Sequence, residues 1–200
     1  MGLADEHALY QIKQKLGGSI KLRSGVKAVR YRLHHREGMF ELIKRINGNI
    51  RHSARLEQLK KVCLVLNLSL IKPEPITNKN GWFTGFFDAD GTITYSFKKG
   101  YPQLTISVSN KLKENILNFK EILGGNIYFD KAGYGSFKWA IQSQKDIEVF
   151  LNYLTVVPSR SHKRQRLFLV KKFYELNKLK AYNYTPDSPV YKAWLDFEQK

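Results

Sequence analysis

Cysteine is almost absent from this chain, and long apolar runs are missing. Cys63 is the one cysteine among 200 residues, which excludes an intramolecular disulfide framework and a metal site built from several cysteines. The longest apolar runs, such as residues 62–66, are too short to cross a bilayer. The first residues, MGLADEHALYQ, lack the basic and then apolar pattern of a secretory signal peptide. We therefore expect a soluble protein with a packed core.

Acidic residues are also scarce relative to basic ones. The chain has 34 Lys+Arg against 17 Asp+Glu, a formal net charge of +17, while 42% apolar and 13% aromatic residues are enough to fill a core. A basic soluble protein with aromatic residues between its charges is typical of nucleic-acid binding. A membrane-surface protein is the alternative, but it would concentrate its charge on one amphipathic helix or tail. Here the basic residues extend from Lys13 to Lys200, so we predict DNA or structured RNA as partner and no membrane.

The chain contains an internal repeat. Residues 9–20 resemble the segment 107 residues later, and each segment predicts an amphipathic helix that ends at a Gly pair and is followed by a strand. With one further residue of offset, residues 30–34 align with 138–142 as alternating strands. A second helix is predicted after each copy, at residues 39–46 and 147–154.

The second copy begins earlier than the first. It opens with a predicted helix at residues 81–90 and strands at 92–98 and 103–109, and the counterparts of these elements would lie before residue 1. The sequence therefore predicts an α+β protein with a truncated first half and a complete second half. The predicted divisions are a first half at 1–70 that closes with a helix at 50–70, a linker at 71–81, a complete half at 82–180 and a C-terminal helical extension at 181–200, with helices starting at about Ser161 and Ser188.

The segment WFTGFFDADG contains an unusual helix end. Gly85 and Ala89 lie four residues apart, so they share one helical face and allow another backbone to approach. Asp88 and Asp90 fall in the last turn, where the helix dipole disfavours negative charge, and no basic residue follows in the sequence before Lys98. A divalent cation with oxygen ligands would compensate these carboxylates. A solvated helix end with an ordinary glycine cap is the alternative.

This segment resembles the LAGLIDADG motif of homing endonucleases and intron maturases. The matching residues are Gly85, Asp88, Ala89, Asp90 and Gly91. The predicted order of strands and helices after the motif also resembles the αββαββα half of that family. The resemblance implies an antiparallel, saddle-shaped sheet along a nucleic-acid groove, with two motif helices packed together at its centre.

The same resemblance implies roles for the acidic and basic residues. Asp90 would bind Mg²⁺, helped by the Ala89 carbonyl, while Asp88 would be a structural or capping carboxylate at the helix interface. The implied reaction is phosphodiester hydrolysis by metal-activated water. Lys163 is the implied basic residue near the scissile phosphate, and His162 is the alternative. Because the first acidic helix is missing from this pattern, a second polypeptide carrying such a helix is the expected partner.

Polar and apolar side chains alternate along several predicted strands. Thr92 and Thr94 alternate with apolar neighbours, as Arg30 and Arg32 do in the first copy. Such a strand face could contact base edges, although any half-solvated sheet shows this alternation. The basic run at 158–166 is expected to contact phosphates, a solvated turn being the alternative. The predicted nucleic-acid-binding residues are Lys21, Arg23, Arg30, Arg32, His34, Thr92, Thr94, Ser96, Lys98, Gln103, Thr105, Ser107, Lys138, Gln142, Arg160, Arg164 and Arg166.

Two functional hypotheses follow from these patterns. The first is a split or fragmentary homing endonuclease that cleaves with Mg²⁺ once a partner supplies the first acidic helix. The second is a non-catalytic RNA-binding protein, either an intron maturase or a domesticated organellar ribosome component. The intact DADG sequence favours the first, and the missing helix favours the second, so the sequence leaves enzymatic activity open. The Lys, Asn, Ile and Tyr content suggests an AT-rich organellar gene, mitochondrial or chloroplast.

Overall fold

The N-terminal part of the chain is a helical unit with a two-stranded antiparallel sheet. The computed structural model describes residues 1–199. After a 3₁₀ turn, the elements follow the helix–strand–strand–helix order predicted from the repeat. They are α1 (Glu6–Leu16), β1 (Ser19–Leu22), β2 (Val29–Arg32), α2 (Arg36–Ile46) and α3 (Ser53–Val65).

The helix predicted at residues 50–70 is shorter in the structure, and the prediction of its length was wrong. Asn67 adopts a left-handed conformation with φ of 54°, which an asparagine tolerates better than most residues. The Leu68 amide then donates to the Cys63 carbonyl at 2.8 Å, closing the end of α3. Leu68 leaves the helix and packs against a small apolar cluster centred on Ile43, Leu59 and Cys63.

The second half has the complete αββαββα order. Its elements are α4 (Trp82–Asp90), β3 (Gly91–Lys98), β4 (Tyr101–Asn110), α5 (Glu114–Leu123), β5 (Asn126–Asp130), β6 (Ser136–Ile141) and α6 (Gln144–Val156). The four strands form one antiparallel sheet in the order β3-β4-β6-β5. The fold is therefore α+β with antiparallel sheets, as predicted.

Two further helices complete the described chain. They are α7 (Lys163–Lys178) and α8 (Pro189–Glu198). The Ser188 hydroxyl accepts a hydrogen bond from the Val190 amide at 3.2 Å, so the predicted cap and proline start of the last helix are present. Among residues 1–199, no helix is both long enough and apolar enough to cross a bilayer.

The main core lies between the apolar face of the four-stranded sheet and the helices of the second half. Its largest side chains have no solvent exposure; they include Phe83, Phe87, Phe119, Trp139 and Phe150. Each such aromatic group stabilises the fold by about 1.5–3 kcal/mol relative to an exposed position. Because Phe83 and Phe87 both belong to α4, this core holds the acidic helix rigidly.

The two copies share a specific hydrogen bond at the glycine pair. The Tyr31 hydroxyl donates to the Gly17 carbonyl at 2.8 Å, and the Trp139 indole donates to the Gly124 carbonyl at 2.8 Å. Gly17 and Gly124 have φ values of 73° and 75°, a left-handed conformation that only glycine adopts easily. The two copies therefore share the geometry of the helix end and its side-chain hydrogen bond, as well as the order of their elements.

Candidate active site and nucleic-acid interface

The acidic helix α4 presents two different faces. Phe83 and Phe87 are buried in the core, whereas Gly85, Ala89 and Asp90 are exposed. A Cβ atom added at Gly85 would meet no atom within 4 Å. The predicted close-packing face is therefore open in the described chain, and the Asp90 carboxylate lies at its C-terminal edge.

Hydrogen bonds to α6 and its C-terminal cap fix the start of α4. The Thr84 hydroxyl donates to the Val157 carbonyl at 2.8 Å. The Tyr153 hydroxyl donates to the Asn80 carbonyl at 2.7 Å and accepts from the Thr84 amide at 3.2 Å. Burial raises the pKa of Tyr153, so this hydroxyl keeps its proton at neutral pH. Thr84 thus anchors the helix at a position where the resembling motif has alanine.

Lys163 binds the C-terminal end of α4. Its ammonium group donates to the carbonyl oxygens of Phe87, Asp88 and Ala89 at 3.0, 2.7 and 3.3 Å. The Phe87 carbonyl also accepts from the Gly91 amide at the helix cap, whereas the last carbonyls of a helix have no partner within it, and a positive charge is favourable at this end of the dipole. Burial lowers the pKa of Lys163, while the carboxylates of Asp88, Asp5 and Asp90 act in the opposite direction.

The basic neighbour of this helix end is distant in sequence. No basic residue follows Asp90 before Lys98, but Lys163, 75 residues after Asp88, reaches the helix end in the folded chain. The carbonyl groups of the helix end are compensated by the protein itself. The Asp90 side chain is exposed at this helix end and remains accessible.

Asp88 organises the turn that leads into α7. Its carboxylate accepts hydrogen bonds from the Ser159 hydroxyl, from the Arg160 amide at 2.7 Å and from the Ser161 hydroxyl at 2.8 Å. Hydrogen bonds to a charged acceptor are stronger than those between neutral groups. This arrangement fixes the backbone of the turn and thereby the position of Lys163 at its end.

Asp5 of the N-terminal unit holds the same turn from the other side. Its carboxylate accepts from the His162 amide at 2.7 Å and lies 2.9 Å from the His162 ring Nδ1. Burial alone would raise the pKa of Asp5, but the hydrogen bonds and charges of His162 and the charge of Lys163 keep that pKa below its usual value. His162, the alternative basic candidate, is therefore directed toward Asp5.

The exposed end of α4 suits a Mg²⁺ ion only if groups from elsewhere share in its coordination. Mg²⁺ is commonly held by one or two carboxylates, with water and phosphate oxygens completing its shell. Asp90 offers one accessible carboxylate, and the adjacent Ala89 carbonyl has only a long contact with Lys163 at 3.3 Å. Residues 1–199 contain no cluster of three or more His, Cys, Asp or Glu side chains suited to a metal. The donor set therefore suits a site completed by a second carboxylate.

Polar side chains cover one face of β3 and β4. Thr94 is opposite Thr105, and Ser96 is opposite Gln103, as the alternation predicts. The Ser107 hydroxyl is 2.8 Å from that of Thr92. Ser107 is only 1% exposed, so it supports Thr92 instead of reaching the surface.

Basic side chains cover the corresponding sheet of the N-terminal unit. Lys21 is directly opposite Arg30, and Arg32 is opposite Ser19. Like charges facing each other across two strands destabilise a sheet, so this pair favours a bound anion. The predicted binding residues that are exposed are Lys21, Arg23, Arg30, Arg32, His34, Thr92, Thr94, Ser96, Lys98, Gln142, Arg160, Arg164 and Arg166, while Gln103, Thr105 and Lys138 are partly buried.

Several residues that shape the site had no assigned role in the sequence analysis. Asp5 and Tyr153 act over 157 and 69 residues, and no local pattern marks such contacts. Ser159 and Ser161 lie within the basic run, where the charges drew attention to phosphate binding. A capping role for Asp88 was expected, but its three donors are visible only in the folded chain.

The Asp88 contacts predict a measurable loss of stability. Replacing Asp88 with Asn removes the charge and one acceptor oxygen, so the three donors of the turn lose part of their partner. We expect Asp88→Asn to lower the free energy of unfolding by about 1.5–3 kcal/mol, the range for hydrogen bonds to a charged group. Urea denaturation measures the change. Asp187→Asn, at an exposed position, is the control, and equal losses in the two variants would contradict the assignment.

The sequence matches a known protein family and several known proteins. The LAGLIDADG endonuclease family model matches residues 83–174. The chain is 52% identical, over 99% of its length, to the intron-encoded RNA maturase bI4 of Saccharomyces cerevisiae, and 49% identical, over its full length, to the probable intron-encoded endonuclease aI2 of Debaryomyces hansenii. It spans about a third of each of these relatives, 32% and 33%.

Other matches cover most of both proteins. The chain is 34% identical to the intron-encoded DNA endonuclease ai2b of Dictyostelium discoideum, over 88% of the chain and 69% of that protein. Its fold matches the LAGLIDADG homing endonuclease I-GzeII in complex with its DNA target and the LAGLIDADG meganuclease I-CpaMI bound to uncleaved DNA, with TM-scores of 0.75 and 0.71 at 15% and 16% identity. Each structural match covers 100% of the chain and 85% of the neighbour. The chain belongs to the LAGLIDADG family of intron-encoded maturases and endonucleases.

Proposed function

We propose that this chain is the nucleic-acid-binding part of an intron-encoded LAGLIDADG endonuclease. In this proposal α4 packs through Gly85 and Ala89 against a second acidic helix that lies outside residues 1–199. The chain spans only about a third of two of its relatives, so either the same protein or a separate polypeptide can supply that helix. The supporting observation is the placement of an accessible Asp90 at the end of a rigidly buried helix whose small-residue face is open.

The proposed reaction is phosphodiester hydrolysis on a duplex. Bound Mg²⁺ would supply Lewis acidity and lower the pKa of an attacking water. Asp90 would hold the metal, helped by the adjacent Ala89 carbonyl. Lys163 fixes the helix end and places a positive charge next to the reacting phosphate, where it stabilises developing negative charge. The strand faces of the two sheets orient the nucleic acid.

RNA binding without cleavage is the second candidate function. Its specific support is the 52% identity to a protein named as an RNA maturase. The exposed basic and polar strands suit RNA phosphates as well as DNA phosphates. The two candidates differ in their use of Asp90, which RNA binding alone does not require. An organellar location and a role in the ribosome stay predictions.

The open face of α4 predicts self-association of the isolated chain. Without another acidic helix, two copies should pair through Gly85 and Ala89, because small residues let helix backbones approach closely. Gly85→Gln fills this face without a clash inside the chain, since no atom lies within 4 Å of a Cβ there. Analytical ultracentrifugation in high salt should show dimers or larger species for the wild type and monomers for the variant. Thr155→Gln on the exposed side of α6 is the control, and a monodisperse wild-type monomer would count against the proposed interface.

The catalytic proposal predicts separate effects on cleavage and binding. Asp90→Asn should reduce strand cleavage by more than a hundredfold, because the neutral amide is a poor Mg²⁺ ligand, while duplex binding stays the same or tightens slightly. The assay supplies the second acidic helix and uses a duplex selected for binding from a random pool. Asp187→Asn serves as the exposed control. Mg²⁺-dependent cleavage that survives Asp90→Asn would remove Asp90 from the site. If the assembled wild type binds but never cleaves, the RNA-binding candidate replaces the endonuclease.

The facing charges of β1 and β2 predict a change in salt dependence. Each phosphate contact adds about 0.7–0.9 to the slope of log affinity against log salt. Replacing Arg30 and Arg32 with Gln should therefore reduce the slope by about 1.4–1.8 and weaken binding to duplex or structured RNA. Replacing Lys171 and Lys172 with Gln makes the same charge change on the exposed side of α7. Equal slopes for the two double variants would refute the assigned binding face.

A further inference from the structure

A cavity opens at the edge of β4, between this strand and α7. Its volume is about 260 Å³. β4 pairs with β3 from Tyr101 onward, but its pairing with β6 begins only at Ile106. Residues 101–105 of β4 therefore have one open edge, and the cavity lies along it.

This cavity is distant from the acidic helix end. Lys98, the last residue of β3, lines the cavity, whereas Asp90 immediately precedes the first residue of that strand. At a rise of about 3.3 Å per residue, the strand separates the two positions by roughly 25 Å. The cavity is therefore a separate feature from the candidate metal site.

Residues from both faces of β4 line the cavity. Gln103 belongs to the polar face and Leu104 to the core face, yet both line it, together with Phe173 and Tyr174 of α7. Because successive side chains point to opposite faces of a strand, a cavity lined by both residues passes around the strand edge. A paired base of a helix on the polar face cannot enter there, since an enclosed pocket admits a base only after it leaves the stack.

Two buried polar atoms of the lining residues lack partners. The Gln103 side-chain oxygen and the Tyr174 hydroxyl are buried, and neither has a hydrogen-bond partner among residues 1–199. Burial raises the pKa of Tyr174 to about 12, and the Glu148 carboxylate acts in the same direction, so this hydroxyl keeps its proton at neutral pH. The lining thus offers one acceptor and one donor. Because native structures rarely leave such atoms unpaired, the two indicate a ligand that both donates and accepts.

We infer that this cavity binds one unpaired nucleobase that projects from a helical stem of nucleic acid. The inference rests on the nucleic-acid binding of the proposed function and extends it beyond paired segments. The Watson–Crick edge of each base carries both donors and acceptors, and an unpaired base is free to present them. The cavity volume is just below the range of about 300–1,000 Å³ for sites that hold larger ligands, so it suits a single planar base.

The other lining residues suit the rest of such a nucleotide. Leu104 and Phe173 are buried apolar walls, against which the face of a base can pack. Lys98 is exposed and forms no ion pair among the described residues, so its ammonium group is available to a phosphate. The Tyr101 ring is 61% exposed and can stack on a neighbouring base. Structured RNA is the expected source, because its loops and bulges present unpaired bases.

Binding to matched stems tests the inference. Three RNA stems of one sequence carry a bulged uridine, an abasic residue at the bulge, or no bulge, and three DNA stems repeat the series with a bulged thymidine. We expect the full chain to bind the stem with the bulged base about tenfold more tightly than the other two, because only that base reaches Gln103 and Tyr174. The preference in either series supports the inference, and its restriction to the RNA series identifies RNA as the source.

Tyr174→Phe separates binding of the base from stability. The variant removes a hydroxyl that has no partner in the free chain, so the free energy of unfolding should stay the same or rise. The preference for the bulged base should fall about two- to tenfold, the loss of one hydrogen bond. Tyr191→Phe, outside the cavity lining, is the control and should keep the full preference.

Cross-linking locates the base directly. A 5-iodouracil at the bulge should cross-link on irradiation to Tyr101, Phe173 or Tyr174, as identified by mass spectrometry. Cross-links confined to other residues would overturn the inference. If Tyr174→Phe fails to fold, the stem preference of the wild type and the position of the cross-link still decide the question.

The outcomes separate this inference from the proposed function. Equal affinity for the three stems, as expected if water alone fills the cavity, would overturn the inference while nucleic-acid binding stands. Equal weakening of all three stems by Tyr174→Phe would likewise overturn it, because the hydroxyl would then act on the fold and not on the base. A chain that binds none of the RNA or DNA stems would overturn the proposed function and the inference together.

Discussion

The contact between Lys163 and the end of α4 is the interaction on which the site depends. Two acidic residues at the C-terminal end of a helix interact unfavourably with its dipole, and the last carbonyls of a helix lack partners within it. The ammonium group donates to three carbonyls of the last turn, and Asp88 in return holds the turn that positions Lys163. Each group is placed by the other, so the accessible carboxylate of Asp90 is presented by a rigid structure.

Much of the fold was predictable because its signals are local. The glycine pairs, the alternating strands and the Ser188 cap each depend on a few neighbouring residues, and the structure has the predicted elements within about two residues at most ends. The helix predicted at 50–70 was too long, because the left-handed conformation of Asn67 ends it early. The spacing of apolar residues gives no sign of such a backbone conformation. The repeat added long-range information, since it matched two distant segments as one structural unit.

The site was less accessible to prediction because its contacts cross the chain. The motif pointed to Asp88 and Asp90 as functional residues. However, Lys163 caps the helix at Asp88 from 75 residues away, and Asp5 binds His162 from 157 residues away. Ser107 was predicted to contact nucleic acid because it is polar, but its buried hydroxyl pairs with the Thr92 hydroxyl. Residue type and alternation predict which face a side chain lies on, while burial at a given position depends on the packing around it.

The link between Asp5 and His162 also bears on how the chain is made. A ribosome releases α4 well before it releases residues 159–163, so the acidic helix emerges with its carbonyl end uncapped. Contacts between distant parts of a chain form slowly, since a large loop must close first. The N-terminal unit must therefore wait for α7 before the 157-residue loop between Asp5 and His162 can close. Assembly of the C-terminal end of α4 is consequently a late event in biosynthesis, and until then Asp90 belongs to a helix without a fixed end.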